Sequence, residues 1–298
     1  MKKIIKKFLS FLGVKIQIPL LKAKNEKKEI LKQYKIKTEY ALHLLVGSYY
    51  YLLNMKKYGI NVSVFKENEN FIILLIDKFK FKVESVEDIF ILSEVFMSKD
   101  YNFLTKEKYI FMDIGLNIGV TSLFLISKKN IDYVYSYEPV KYTFDIAKEN
   151  IEMNSIKNIT IKNVGLGNDN RTETFIFNKN YKGNSGVRGD NSYAIKNSSK
   201  EDLTEVKVNI IDIKNELLLI RNLHKKVKLG MKIDCEGGEY EILQRMDEEK
   251  LFDFVNILMI EWHDQGSEII EEILMKNNFN IFSRNLEVNS GMIYAVKN

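Results

Sequence analysis

From residue 109 onward, short runs rich in Ile, Val, Phe and Met alternate with stretches of helical periodicity. The runs occupy 109–113, 133–138, 159–164, 229–234, 255–261, 279–282 and 291–296. The helical stretches fall at 119–129, 140–154, 238–249 and 266–277. No other feature restricts the fold so strongly. Strands that alternate with helices imply a mostly parallel sheet covered on both faces, and right-handed crossovers make it doubly wound. The segment 166–227 is too long for a simple crossover. It holds two strand-like runs, 172–178 and 206–213, around a polar loop, and is expected as an insertion at the carboxyl edge of the sheet.

The first 108 residues read differently. Residues 23–58 look helical, and VSVF, FIILLI and FKFKV between Asn61 and Ser85 are short strand candidates, with KENEN as a turn. This part is expected to be a small α+β lead-in, followed at 109–298 by the alternating domain. Residues 1–37 carry 12 lysines against Glu26 and Glu29, whereas the whole chain has a net charge of only +5. The body of the protein is therefore slightly acidic, which argues against a nucleic-acid groove. MKKIIKKFLSFLGVKI spaces Ile4, Ile5, Phe8, Leu9 and Leu12 along one helical face among lysines. Peripheral contact of residues 1–18 with an anionic membrane surface is one use of such a segment; packing against the protein is the other. The longest aliphatic or aromatic run, Phe71 to Ile76, is far below the roughly 20 residues that span a bilayer. One cysteine, Cys235, excludes an intramolecular disulfide framework and fits a reducing, cytoplasmic setting.

Ligands of an open α/β sheet bind outside the carboxyl ends of its strands. At the end of the first run lies DIGLNIG, with Asp113, Gly115, Asn117 and Gly119. Glu138 ends the second run in SYEPV and can accept both hydroxyls of a ribose. The dinucleotide fingerprint G-x-G-x-x-G is absent, and Asp113 at the loop mouth would repel a pyrophosphate. S-adenosylmethionine carries an ammonium and a sulfonium and has no phosphate, so an acid there is complementary to it.

A second group lies in KLGMKIDCEGGEYEIL, residues 228–243, where Asp234, Glu236 and Glu239 crowd one strand–helix corner. The next strand ends in ILMIEWHDQ with Glu261 and His263. Acids this close need a cation or hydrogen-bond donors. His263, oriented by Asp234, is expected as a general base for methyl transfer to a hydroxyl. A divalent cation on Asp234, Glu261 and His263 is the rival use of these residues, but their spacing matches no metal motif and no metal is expected. Cys235 is expected as a small buried residue and Trp262 as core on the opposite face. Ser185, in the NSG turn, is a turn former and a candidate substrate contact.

Together these residues resemble the FkbM family of S-adenosylmethionine-dependent methyltransferases. The resemblance covers roughly 109–298 and rests on DIGLNIG, the YEP strand end, NVGLG at 163–167, KIDCEGGEYEIL and EWH. It implies a Rossmann-like sheet of seven strands, the last antiparallel, and action on oxygen atoms of sugars or natural products. It places Asp113, Gly115, Asn117, Gly119, Glu138 and Gly165 at the cofactor. Asp234, Glu236, Glu239, Glu261 and His263 then fall near a sugar, glycoconjugate or small-molecule acceptor. Leu116 stands where a smaller residue is common. The competing classes are a nicotinamide oxidoreductase and a non-catalytic, membrane-associated assembly protein of the same fold.

Overall fold

The computed structural model describes residues 25, 27–98, 100–103, 105–186 and 192–298. The basic segment 1–18 lies outside them. The chain forms two compact units, divided between Ser93 and Glu94. Among the described residues no helix is long and apolar enough to cross a membrane.

The first unit begins with a helix at 27–34 (α1), followed by α2 (Glu39–Gly47) and α3 (Tyr49–Lys57). The helical stretch expected at 23–58 is thus broken. Lys35 has a φ of 53°, and Thr38 caps α2 by accepting from the Ala41 amide. Glu67 holds that break from β1, accepting from the Lys37 and Thr38 amides. Strands β1 (Val62–Glu67), β2 (Ile72–Ile76) and β3 (Phe79–Val83) form an antiparallel meander. A helix that the sequence reading did not include, α4 (Val86–Met97), follows. Asp88 supports its start, accepting from the Glu84 and Ser85 amides.

The second unit is built on seven strands: β4 (Tyr109–Ile114), β5 (Ile131–Tyr137), β6 (Ile159–Lys162), β10 (Lys228–Ile233), β11 (Ile257–His263), β12 (Phe279–Glu287) and β13 (Ser290–Lys297). Their order is β12-β13-β11-β10-β4-β5-β6. Only β13 runs antiparallel to its neighbours. The fold class expected from the alternation is therefore the one observed. Helices α5 (Val120–Ile126), α6 (Lys141–Met153), α9 (Glu239–Glu248) and α10 (Glu268–Lys276) connect the strands.

The segment 166–227 contains more regular structure than the two runs read from its sequence. Strands β7 (Gly165–Gly167), β8 (Arg171–Phe177) and β9 (Thr204–Asp212) form a separate sheet in the order β7-β9-β8. A one-turn helix, α7 (Tyr193–Lys196), precedes β9. The segment ends in α8 (Ile213–Leu223), an ordinary crossover helix capped by Asp212, which accepts from the Lys214 amide.

Strand alternation sorts the two faces of the large sheet. Ile110, Met112 and Ile114 pack with Met231, Ile233 and Ile260 and with the buried sides of α8, α9 and α10. Trp262 belongs to this core, as its parity predicts. The opposite face carries Phe111, Asp113, Lys232, Glu261 and His263. Residues 94–108 cover part of it: Phe96 meets Phe124 of α5, and Phe103 meets Tyr109 and Phe111. Burying Phe111 requires Gly230 on the neighbouring strand, since a Cβ there would lie 2.3 Å from the ring.

Candidate functional site

At the carboxyl ends of β4, β5 and β10 a cleft open to solvent is lined by Gly115, Asn117, Glu138, Gly165, Asp234 and Glu236, among others. The small sheet supplies a further wall through Phe175 and Ile210, and the loop after β8 adds Lys182 and Ser185. The sequence reading foresaw an insertion at this edge and named Ser185, but not Phe175 and Ile210, which gain their meaning only from the pairing of β8 with β9, nor Lys182.

The loop after β4 is held by its neighbours. The Gly115 and Leu116 amides donate to the Tyr137 carbonyl at 3.1 and 2.9 Å. Asn117 takes a left-handed φ of 51° and accepts from the Ile118 amide with its own side chain. Gly115 has a φ of 86°, and a Cβ there would stand 1.7 Å from the Asp234 carbonyl oxygen. Glycine at 115 is therefore demanded by the adjoining strand β10, independently of what fills the cleft. Gly119 does not line the cleft; it begins α5 with a φ of 89°.

Glu138 joins the loop to the next strand. Its Oε2 accepts from the Asn117 amide at 3.0 Å and its Oε1 from the Val140 amide at 2.9 Å. Burial pushes its carboxyl up to about 7, although both amides pull it down. The sign of the resulting pH dependence follows. A proton on Glu138 is favoured in the fold, so this group's contribution to stability is full below about pH 4.5 and is lost as the pH rises through about 7. If Glu138 holds a ribose diol, as its place at the strand end led us to expect, it does so in the ionised form, and cofactor affinity should rise about tenfold between about pH 6 and about pH 8. Calorimetric titrations across that range check it, and a flat profile would remove Glu138 from the ribose contact.

Asp113 is placed otherwise than expected. It is fully buried and does not line the cleft. In the register of the sheet it stands between Ser136 on β5 and Lys232 on β10. Ser122 of α5 donates to its Oδ2 at 2.5 Å, and the same hydroxyl lies 2.7 Å from that of Ser136. Lys232 Nζ, on a side chain 2% exposed, stands 3.4 Å from Asp113 and 3.3 Å from Asp234. It also donates to the Gly115 carbonyl at 2.6 Å. Burial opposes the charge on Lys232, but Asp234 and Asp113 outweigh it and hold the ammonium above its ordinary range. The charge of Asp113 is thus met inside the protein, and its supposed repulsion of a pyrophosphate does not reach the cleft. Glu138, Asp234, Glu236 and Glu241 are the acids that line it, Glu241 being paired with Arg171. Lys232 was missed in the sequence; a lysine two residues before Asp234 in a core strand, on the same side, was the available signal.

His263 ends β11 on the same face, 4% exposed. Its orienting partner is Glu239 and not Asp234: Nδ1 stands 2.9 Å from Glu239 Oε1. Glu239 is fully buried and also accepts from the Gly237 amide at 2.9 Å, so an acceptor-only carboxylate fixes the ring with its proton on Nδ1. The first turn of α9 swings Glu239 toward β11, whereas Asp234 points to Lys232 and Tyr101. His263 Nε2 faces Glu261 at 3.7 Å and Glu236 at 3.8 Å. Burial alone would push the imidazole down, but the bond to Glu239 and the charges of Glu236, Glu239 and Asp234 bring it up to about 10. Four acids rather than the one expected surround it, and together they favour the protonated ring. Burial and Asp234 raise Glu261 well above its usual range. Cys235, expected as buried, is half-buried and lines the cleft, and its thiol is likewise raised by burial and Glu239.

The sequence-predicted residues thus divide. Gly115, Asn117, Glu138, Gly165, Ser185, Asp234 and Glu236 line one cleft. Glu239, Glu261 and His263 form the buried group behind Asp234 and Glu236, and Asp113 and Gly119 support the loop from beneath.

Comparison with known proteins agrees with the region so described. The profile of the Methyltransferase FkbM domain matches residues 113–281. "Methyltransferase 1" of Beauveria bassiana (strain ARSEF 2860) is 26% identical over 189 residues, covering 60% of this chain and 75% of the relative. "Methyltransferase sdnD" of Sordaria araneosa is 25% identical over 222 residues, covering 67% and 85%. Among solved structures, Methyltransferase FkbM from Methylobacillus flagellatus KT aligns with a TM-score of 0.42 at 11% identity over 93% of this chain. This chain spans 60% of the length of that protein.

Proposed function

The chain belongs to the FkbM methyltransferase family, whose methyl donor is S-adenosylmethionine, and on that premise we propose that it methylates a hydroxyl of a sugar, glycoconjugate or related metabolite. The observation that carries this reading is the convergence of Glu138, Asp234 and Glu236 on one cleft beside the loop after β4. Asp234 and Glu236 suit a donor that is cationic at its reacting end and lacks phosphate, and they are unfavourable to the pyrophosphate of a nicotinamide dinucleotide. Glu138 as a ribose ligand would serve either.

The residues fit the cofactor. Glu138 is already fixed by two backbone amides and keeps lone pairs for a ribose diol. Phe175 and Ile210 supply an apolar wall for the base. Asp234 and the Gly115 carbonyl, both held by Lys232, form the negative side of the cleft nearest the methionine end. The cofactor, when bound, supplies an electrophilic methyl group on sulfur. The chain's own task is to place a hydroxyl in line with it and to take its proton. The carboxylates of Asp234 and Glu236 stand where that hydroxyl would enter, with Glu261 behind them. His263, clamped by Glu239, fixes those carboxylates in place.

Two measurements test this reading. Calorimetry should show S-adenosylmethionine binding and no NAD binding; the reverse would favour the oxidoreductase. With a ¹³C-labelled methyl donor and a panel of glycosides, the product should show a methoxy carbon by NMR. Label appearing on nitrogen or carbon would refute the hydroxyl acceptor. His263→Ala should bind the cofactor within about twofold of the parent and lose about 100-fold or more in turnover. Loss of cofactor affinity in that variant would place His263 in the cofactor site instead.

A further inference from the structure

We infer that Glu241 determines which base the cleft accepts: one of its carboxylate oxygens takes a hydrogen bond from the exocyclic amino group of adenine, and Arg171 is the positioning residue that aims it. The inference rests on the cofactor reading above and adds to it the residue that selects the base.

Two glycines of β7 fix where Glu241 lies. A Cβ on Gly165 would stand 2.6 Å from Ile210 Cδ1 and 3.5 Å from Pro139, the residue after Glu138. A Cβ on Gly167 would stand 2.7 Å from Ile210 Cγ2 and 2.8 Å from Glu241 Oε1. Ile210 thus packs along β7 between the neighbour of Glu138 and Glu241, and all of them except Gly167 line the cleft. Phe175 lines it too and packs with Ile210. A nucleoside held by its ribose at Glu138 would lay its base against this apolar wall, with Glu241 at the edge.

The second observation is the state of that carboxylate. Arg171 Nη2 donates to Glu241 Oε1 at 2.7 Å, while its Nε and Nη1 donate to Glu173 at 2.5 Å and to Asp169 at 2.7 Å. A guanidinium held on every side is a rigid fork, and it fixes the carboxylate it grips. Among the described residues Oε2 of Glu241 has no hydrogen-bond partner, and the side chain is 23% exposed. An ionised carboxylate only accepts, so the edge of the base that meets it must donate. The amino group of adenine does so; the carbonyl of hypoxanthine in the same place does not. Asn163, just after β6, does not compete, because its amide donates to the Glu138 and Pro139 carbonyls at 2.9 and 3.0 Å and it does not line the cleft. Arg171 stands opposite Ile210 in the register of the small sheet, so the segment 166–227 supplies both the wall and the clamp.

Calorimetry on the full chain, with S-adenosylhomocysteine and S-inosylhomocysteine as the two probes, tests the assignment. They differ only in the amino group and the carbonyl that replaces it. The parent should bind the adenine form about 10- to 100-fold more tightly, the worth of one charge-assisted hydrogen bond. Glu241→Gln keeps the shape and can turn its amide nitrogen to the carbonyl, so it should bind the two within about threefold. Arg171→Gln leaves the carboxylate but removes its clamp, and its ratio should fall between these. Asp145→Asn, on the exposed side of α6, should keep the parent's ratio. A ratio of two ligands on one sample does not move with a partial loss of fold, and the parent's own value needs no variant. Equal affinity of the parent for both probes, or an undiminished ratio in Glu241→Gln, overturns the assignment and leaves the methyl-transfer reading standing. An undiminished ratio in Arg171→Gln overturns the positioning role. A parent that binds neither probe overturns the assignment and the cofactor reading together.

Discussion

Lys232→Met should lower the unfolding free energy by about 3–5 kcal/mol in chemical denaturation, the largest stability loss expected of any single exchange in this cleft. Methionine matches the length of the lysine stem and leaves no cavity, so the loss reports charge and not volume. Lys232 is 2% exposed, and Asp113 beside it is completely buried. Without the ammonium, Asp113 retains the Ser122 hydroxyl but loses its counter-charge. Among the described residues Asp234 keeps the Tyr101 hydroxyl, at 3.4 Å. The Gly115 carbonyl loses its donor as well. The double variant Lys232→Met, Asp113→Asn should recover a substantial part of the loss, since a neutral amide in place of the buried carboxylate removes the unpaired charge. A single variant within about 1 kcal/mol of the parent would mean that water or another group already serves Asp113, and the ion-pair account would be wrong.

Glu138→Ala should cost about 100-fold or more in affinity for S-adenosylmethionine, because two charge-assisted hydrogen bonds to a ribose diol are each worth about 1.5–3 kcal/mol. The variant also strips the acceptor from the Asn117 and Val140 amides, which stand 3.0 and 2.9 Å from the carboxylate. A stability loss of about 1–3 kcal/mol is therefore expected alongside. Denaturation curves measured on the same protein keep the two effects apart. A folded variant that binds as tightly as the parent would take Glu138 out of the cofactor site. Glu138→Gln preserves the shape and one acceptor, and should fall between the parent and the alanine variant in both measurements.

These two residues mark the extremes of what could be read in the chain. Glu138 ends a strand of strong apolar pattern and precedes a proline, so its place at the carboxyl edge follows from local rules, and the cleft does include it. Lys232 looked like one more lysine in a lysine-rich chain. Its meaning depends on β10 lying beside β4 in a register that sets Lys232 opposite Asp113. The helices show the same division. Those at 140–154 and 266–277 were legible from their spacing, and α6 and α10 occupy Lys141–Met153 and Glu268–Lys276. By contrast, α8 was absorbed into a long segment that began as an insertion. Its leucines and isoleucines read as part of a strand-rich stretch until Asp212 was seen to cap it. Likewise α4 is apolar on too many sides for its period to stand out.

The sequence by itself determined how many strands the sheet has, about where each lies, and that Trp262 falls on the face opposite His263. Those properties depend on a repeat of two residues along a strand and on turn chemistry, and both act between near neighbours. Only the tertiary structure decided which acid meets which cation: Asp113 with Lys232, and His263 with Glu239 rather than Asp234. Such partnerships join residues more than 20 positions apart in one case and more than 100 in the other. They are set by strand order, register and the direction in which a helix leaves its strand. No local pattern encodes them, because charge pairs form wherever packing brings the groups together.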